Sequence, residues 1–65
     1  MTDAEKVEAV NEAYWLGSQA FRITNSRRGW SPTAAKREER SMKRILTAVL
    51  GRKPTDGEVD AALAD

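Results

Sequence analysis

Apolar and polar positions along this chain recur with helical spacing in three stretches. In the first, Val7, Val10, Tyr14 and Phe21 fall on one side, and Ala13, Leu16, Ala20 and Ile23 widen the stripe, a period near 3.6 rather than 2. Thr2-Asp3-Ala4-Glu5 stands just ahead, a hydroxyl and a carboxylate three residues apart that satisfy orphan N–H groups reciprocally as a capping box. The pattern predicts a helix from there to about Thr24-Asn25. A second start is written by Ser31-Pro32, a favoured cap followed by a residue whose missing N–H costs nothing in the first turn. Trp30 precedes that cap, in position to pack on Ala35 as a hydrophobic staple. Ala34, Ala35, Met42, Ile45, Leu46, Val49 and Leu50 follow, and Gly51 is a left-handed stop. After Pro54, Thr55-Asp56-Gly57-Glu58 repeats the capping box and leads into Val59, Ala62 and Leu63. This third helix has only about two to three turns and must pack on the others to persist. No window alternates with period 2, so no sheet is assigned. The fold class expected is all-α, a small three-helix domain of two longer helices and a short C-terminal one, with residues 1–65 forming a single helical binding domain.

Composition narrows the chemistry. Of the 65 residues 26 are apolar and ten of those are alanine, leaving 16 large side chains for a core. A core of that size leaves about 3–5 kcal/mol of net stability without a staple. The chain has no cysteine and no histidine, which removes disulfides, thiolate metal sites and the usual catalytic triads. The expectation is a binding protein and not an enzyme, with no cofactor and no metal. Glu38 and Glu39 are the nearest thing to an acid–base pair, but adjacent helical residues point about 100° apart, and their plainer role is solvated charge or a pair with Lys6 or Arg22. The opening Met-Thr-Asp-Ala-Glu lacks the basic and apolar regions of a secretory signal, and no apolar run approaches the roughly 20 residues that cross a bilayer. A cytoplasmic protein without a membrane partner is expected.

Net charge is only +1, yet it is segregated. Residues 1–21 carry −3 and residues 45–65 carry −2, while the stretch from Arg22 to Arg44 holds eight cations against Glu38 and Glu39, for +6. On a helical wheel Lys36, Arg37, Arg40, Lys43 and Arg44 share one arc of roughly 120° that contains no acid. Thr33 and Thr47 lie in it, Met42, Ile45, Leu46 and Val49 lie opposite, and Glu39 is placed beside it to pair with Lys43. With Arg27 and Arg28 of the preceding loop, this stripe has the chemistry to track phosphates: guanidinium forks, mobile ammonium charges and helix-start N–H groups. The expected partner is an acidic macromolecule, with nucleic acid favoured over an acidic protein surface. An ordinary solvated helix face accounts for the same residues. In Arg27-Arg28-Gly29-Trp30 the indole offers a face for base stacking, or else serves as staple and partial lid on the core.

Trp15 falls off the apolar stripe of the first helix, among Glu8, Asn11, Glu12, Ser18, Gln19 and Arg22. An exposed indole there reads as an interface anchor; burial beneath the third helix or the C-terminal tail is the structural alternative. The rival function is therefore a protein–protein adaptor or inhibitor that docks through Trp15 and the first helix, with Trp30 as a second contact. Gly17, mid-helix, suggests a close helix approach, either within the molecule or in a homodimer through the first helix. A small accessory or regulatory protein, of the kind viruses and phages encode, fits either function by size.

One segment carries a family likeness. Leu50-Gly51-Arg52-Lys53-Pro54-Thr55-Asp56-Gly57-Glu58-Val59 resembles part of region 3 of primary bacterial sigma factors, where a Leu-Gly-Arg-x-Pro-Thr run joins two helices of a DNA-proximal three-helix domain. The likeness covers under a third of the chain, and Gly57 stands where that family has an acidic residue. It implies a helical, DNA-proximal module. Capping rules alone write the same run.

Overall fold

The computed structural model describes residues 1–17 and 29–64. Among them are three helices, α1 (Asp3–Gly17), α2 (Pro32–Leu50) and α3 (Asp56–Leu63), and no strand. The architecture is a small all-α one with two longer helices and a short C-terminal helix, as the apolar spacing requires. The expected end of the first helix near Thr24-Asn25, with Ala20, Phe21 and Ile23, lies outside the described residues.

Each start and stop is held by the local chemistry the sequence provides. The Thr2 hydroxyl accepts from the Glu5 N–H at 3.2 Å, and the Glu5 carboxylate accepts from the Thr2 N–H at 2.9 Å. Those bonds, the backbone one foremost, hold the Glu5 carboxyl below its ordinary range. Ser31 caps α2 by accepting from the Ala34 N–H at 3.1 Å, with Pro32 as the first helical residue. At the other end Gly51 takes φ 72°, a conformation that side chains disfavour, and donates its N–H to the Thr47 carbonyl at 3.0 Å. The Thr55–Glu58 box closes both ways at 2.8 and 3.1 Å.

Met42, Leu46, Ala62 and Leu63 are fully buried, joined by Val7 and Val59. Val10, Tyr14, Trp30 and Leu50 pack against that cluster while remaining half-exposed. Asp3 meets Arg52 at one end of α1 and Tyr14 meets Glu38 at the other, so α1 and α2 run antiparallel. Two polar ties lock α3 onto this pair. The Asn11 amide donates to the carbonyls of Ala62 at 2.8 Å and Ala64 at 2.7 Å, satisfying acceptors that the end of α3 leaves open. Arg52 forks onto both Glu58 carboxylate oxygens, at 2.9 and 2.7 Å, and reaches Asp3 at 2.9 Å. The fork, with the Thr55 N–H behind it, pulls the Glu58 carboxyl down to about 2, and the two carboxylates hold the guanidinium above its ordinary value.

Three apolar expectations are corrected. Leu16 is 76% exposed, and Ile45 and Val49 are each 40% exposed. Leu16 falls about 180° from Val7 on the wheel of α1, opposite the buried row. On α2 the buried row is Met42–Leu46 with Leu50 half-buried, and the neighbouring row Ile45–Val49 is exposed, Ile45 lining a hollow with Val10, Ala13 and Tyr14 of α1. Of the two readings of Gly17 the close approach within the molecule is corrected, since a side chain built there meets nothing within 4 Å.

Candidate nucleic-acid interface

The seam of α2 that faces the core, Ala35, Glu39, Met42, Leu46 and Leu50, fixes the rotation of the helix and therefore what it presents outward. Lys36, Arg37, Arg40, Lys43, Arg44 and Thr47 are all exposed, so the structure brings five of the expected cations onto one solvent face. Arg27 and Arg28 lie outside the described residues. Among the described residues Lys36, Arg40, Lys43 and Arg44 enter no ion pair, and Arg37 has only Glu38 at 3.8 Å. The expected Glu39–Lys43 pair is not formed. Glu39 is half-buried instead and lines a hollow shared with Lys43, Asp56, Val59 and Asp60, because its place on the wheel turns it toward α3.

The geometry adds a residue that the wheel of α2 cannot contain. A groove of about 510 Å³ runs between α2 and the turn into α3, lined by Arg40, Lys43, Arg44 and Thr47 on one side and by Lys53, Pro54 and Asp56 on the other. Pro54 is buried and anchors the turn, so Lys53 is carried at a fixed place opposite the helix face. Only the charge of Lys53 was visible in the sequence; its convergence on α2 depends on the left-handed turn at Gly51. The Thr47 hydroxyl donates to the Lys43 carbonyl at 2.6 Å, which leaves its lone pairs toward the groove as acceptors.

The two tryptophans stand elsewhere. Trp15, expected on an exposed polar surface, is 3% exposed. Its ring lies edge-on to Tyr14 at 5.0 Å and stacks on Trp30 at 6.0 Å with the planes 22° apart. Trp30, just ahead of the α2 cap, supplies part of that cover. Trp30 is half-buried, and the face offered for base stacking is turned to Trp15. Trp30 also packs against the core cluster, as a partial lid would. Glu38, expected as a solvated charge or a partner of Lys6 or Arg22, accepts the Tyr14 hydroxyl at 2.6 Å. Burial first, and then this bond, push the Tyr14 hydroxyl well above its ordinary 10.0. Arg22 lies outside the described residues.

Among the described residues no three of His, Cys, Asp and Glu are placed to hold a metal ion, and no helix is long and apolar enough to cross a membrane. The chain was also compared with known proteins. No family model, no curated protein and no solved structure matches it.

Proposed function

We propose that this protein is a non-enzymatic binding module that lays the basic face of α2 along the phosphate backbone of a nucleic acid. The observation that carries this reading is the set of Arg40, Lys43, Arg44 and Lys53 around one groove with no ion-pair partner among the described residues. Cations left uncompensated cost self-repulsion, which an anionic partner relieves on binding. Lysine and arginine heads on flexible stems suit an irregular row of phosphates, and most contacts of that kind position a protein without reading sequence. Glu38 is engaged with Tyr14 and Glu39 faces away from it, so the one adjacent carboxylate pair of α2 offers no acid–base site.

Charge reversal at Arg40, which is exposed and central to the face, tests the reading. Arg40→Glu is expected to keep the helical spectrum and to weaken binding to DNA and RNA of any sequence by about tenfold or more, since it both removes one phosphate contact and adds a repulsion. Binding unchanged by Arg40→Glu would sink the proposal and shift the lead to docking on a protein, for which the exposed Leu16 on α1 remains and the buried Trp15 does not.

A further inference from the structure

The side of the α1–α2 pair turned away from α3 is apolar and open. α1 packs more extensively on α3 than on α2. On the far side of the pair Val10, Ala13, Tyr14 and Ile45 line an apolar hollow of about 260 Å³. Ala13 lies about 160° around α1 from Asn11, whose amide holds the end of α3. Val49 follows Ile45 one turn on and is exposed with it. Along α1, Ala9, Ala13 and Gly17 are exposed on the same side, and a side chain built at Gly17 meets nothing within 4 Å, so the strip is low as well as apolar. Contiguous apolar surface of this kind marks an interaction site, unlike single exposed side chains.

The borders of the strip state what fits it. Beyond Ala13 on α1 comes Glu12, and beyond Ile45 on α2 come Arg37 and Arg44, each roughly 80–100° further round its helix and each exposed. One rim is therefore acidic and the other basic. A matching partner has an apolar centre and the same two rims in reverse order, which is what a second copy presents when turned about a two-fold axis running along the helices. Rotation about such an axis leaves height along it unchanged, so the register is fixed by the molecule itself. Tyr14 stands opposite Glu38 and Asp3 opposite Arg52, which sets Arg44 level with residues 8 to 11 of α1. Arg44 of each copy then arrives within about one turn of Glu12 of the other, twice per dimer. α1 of one copy lies antiparallel on α2 of its partner, with small residues facing the Ile45–Val49 row. The polar residues on the strip are Ser41 and, near one end, the half-buried Lys6, whose stem suits an apolar seam while its head stays in water.

We propose that the apolar strip between α1 and α2 is a self-association surface, on which a second copy of the chain docks as a two-fold dimer with Glu12 and Arg44 paired across both rims. Lys43 lies about 160° around α2 from Ile45, so the basic groove stays open in this dimer, and the test uses protein without nucleic acid. Sedimentation equilibrium from micromolar to millimolar protein is expected to show the mass rising from 7.2 kDa toward twice that value. Ala13→Arg sets a charge in the middle of the strip at an exposed position; it is expected to keep the helical spectrum and weaken association by about tenfold or more. Glu12→Arg and Arg44→Glu each bring like charges together at both rims, and each alone is expected to associate about fivefold more weakly. Mixed in equal amounts, the two variants are expected to regain the wild-type mass, because every mismatched pair becomes a matched one in the mixed dimer. That recovery needs both variants folded and the two rims facing each other. A wild type that stays at 7.2 kDa at millimolar concentration overturns the proposal and leaves the strip to a different partner. Association indifferent to Ala13→Arg, or a mixture no heavier than its separate components, overturns it as well.

Discussion

Replacing Trp15 by alanine is expected to remove a large share of the protein's stability, and the size of the effect follows from where the ring sits. The indole is 3% exposed, edge-on to Tyr14 and stacked on Trp30. Truncation of a buried tryptophan to alanine costs about 3–5 kcal/mol, and each aromatic pair lost accounts for roughly 0.5–1.5 kcal/mol of that. A chain of 65 residues has on the order of 3–10 kcal/mol in total, at about 0.05–0.15 kcal/mol per residue. The loss therefore takes a third or more of the stability and in the lower range all of it. Urea melts followed by helical ellipticity measure it directly, with Trp15→Phe as a companion that keeps most of the packing and is expected to fall between wild type and alanine. In a Trp30→Phe background the remaining emission belongs to Trp15 and is expected to be blue and poorly quenched by iodide. A Trp15→Ala protein that melts like wild type, or a red and readily quenched Trp15 emission, would refute the burial argument and restore the indole as a surface anchor.

Two further perturbations test the ties around α3. Asn11→Ala removes two bonds to the carbonyls at its C-terminal end, and a thermal melt should show a loss of about 1–2 kcal/mol, roughly 5–10 °C in Tm for a domain of this size; an unchanged Tm would contradict the tie. The Glu58 carboxyl is depressed from 4.5 to about 2 by the Arg52 fork, so the stability it contributes is fully present above pH 4.5 and is lost as the pH falls toward 2. Stability curves across that window should slope downward with acid in the wild type and flatten in Arg52→Gln; equal slopes would show that the fork is not the cause.

How far the sequence foretold the molecule divides along a physical line. Helix ends were legible because a cap is a local event: Thr2 with Glu5, Ser31 with Pro32, and Thr55 with Glu58 lie within three residues of each other, and Gly51 needs no partner to turn. The basic face of α2 was legible for the same reason, since 3.6 residues per turn fixes which side chains share an arc. Trp15 was not, because its cover arrives from a residue far along the chain, and a wheel sees only neighbours on its own helix. One signal was available: Val7, Asn11 and Trp15 form an i, i+4 row. By residue type Asn11 suggests a polar surface, whereas its amide faces the end of α3 and the row is the buried one. Leu16, Ile45 and Val49 differ for a complementary reason, as periodicity states which side of a helix is apolar but not how much of that side its neighbours cover. Lys53 and Asp56 join the groove through the geometry of a turn that no single-helix pattern contains.

The most direct measurement on the phosphate-tracking proposal is the salt dependence of binding to a nucleic-acid duplex. Lys36, Arg37, Arg40, Lys43, Arg44 and Lys53 are the exposed cations on or facing the α2 surface. If four to six of them neutralise phosphates, a plot of log affinity against log salt concentration should be a straight line with slope of roughly −4 to −5, at about −0.9 per phosphate for B-DNA. In Arg40→Glu the slope should shrink by about one unit or more. A flat plot, or no binding at the lowest salt, would contradict the claim that this face exists to hold a polyanion.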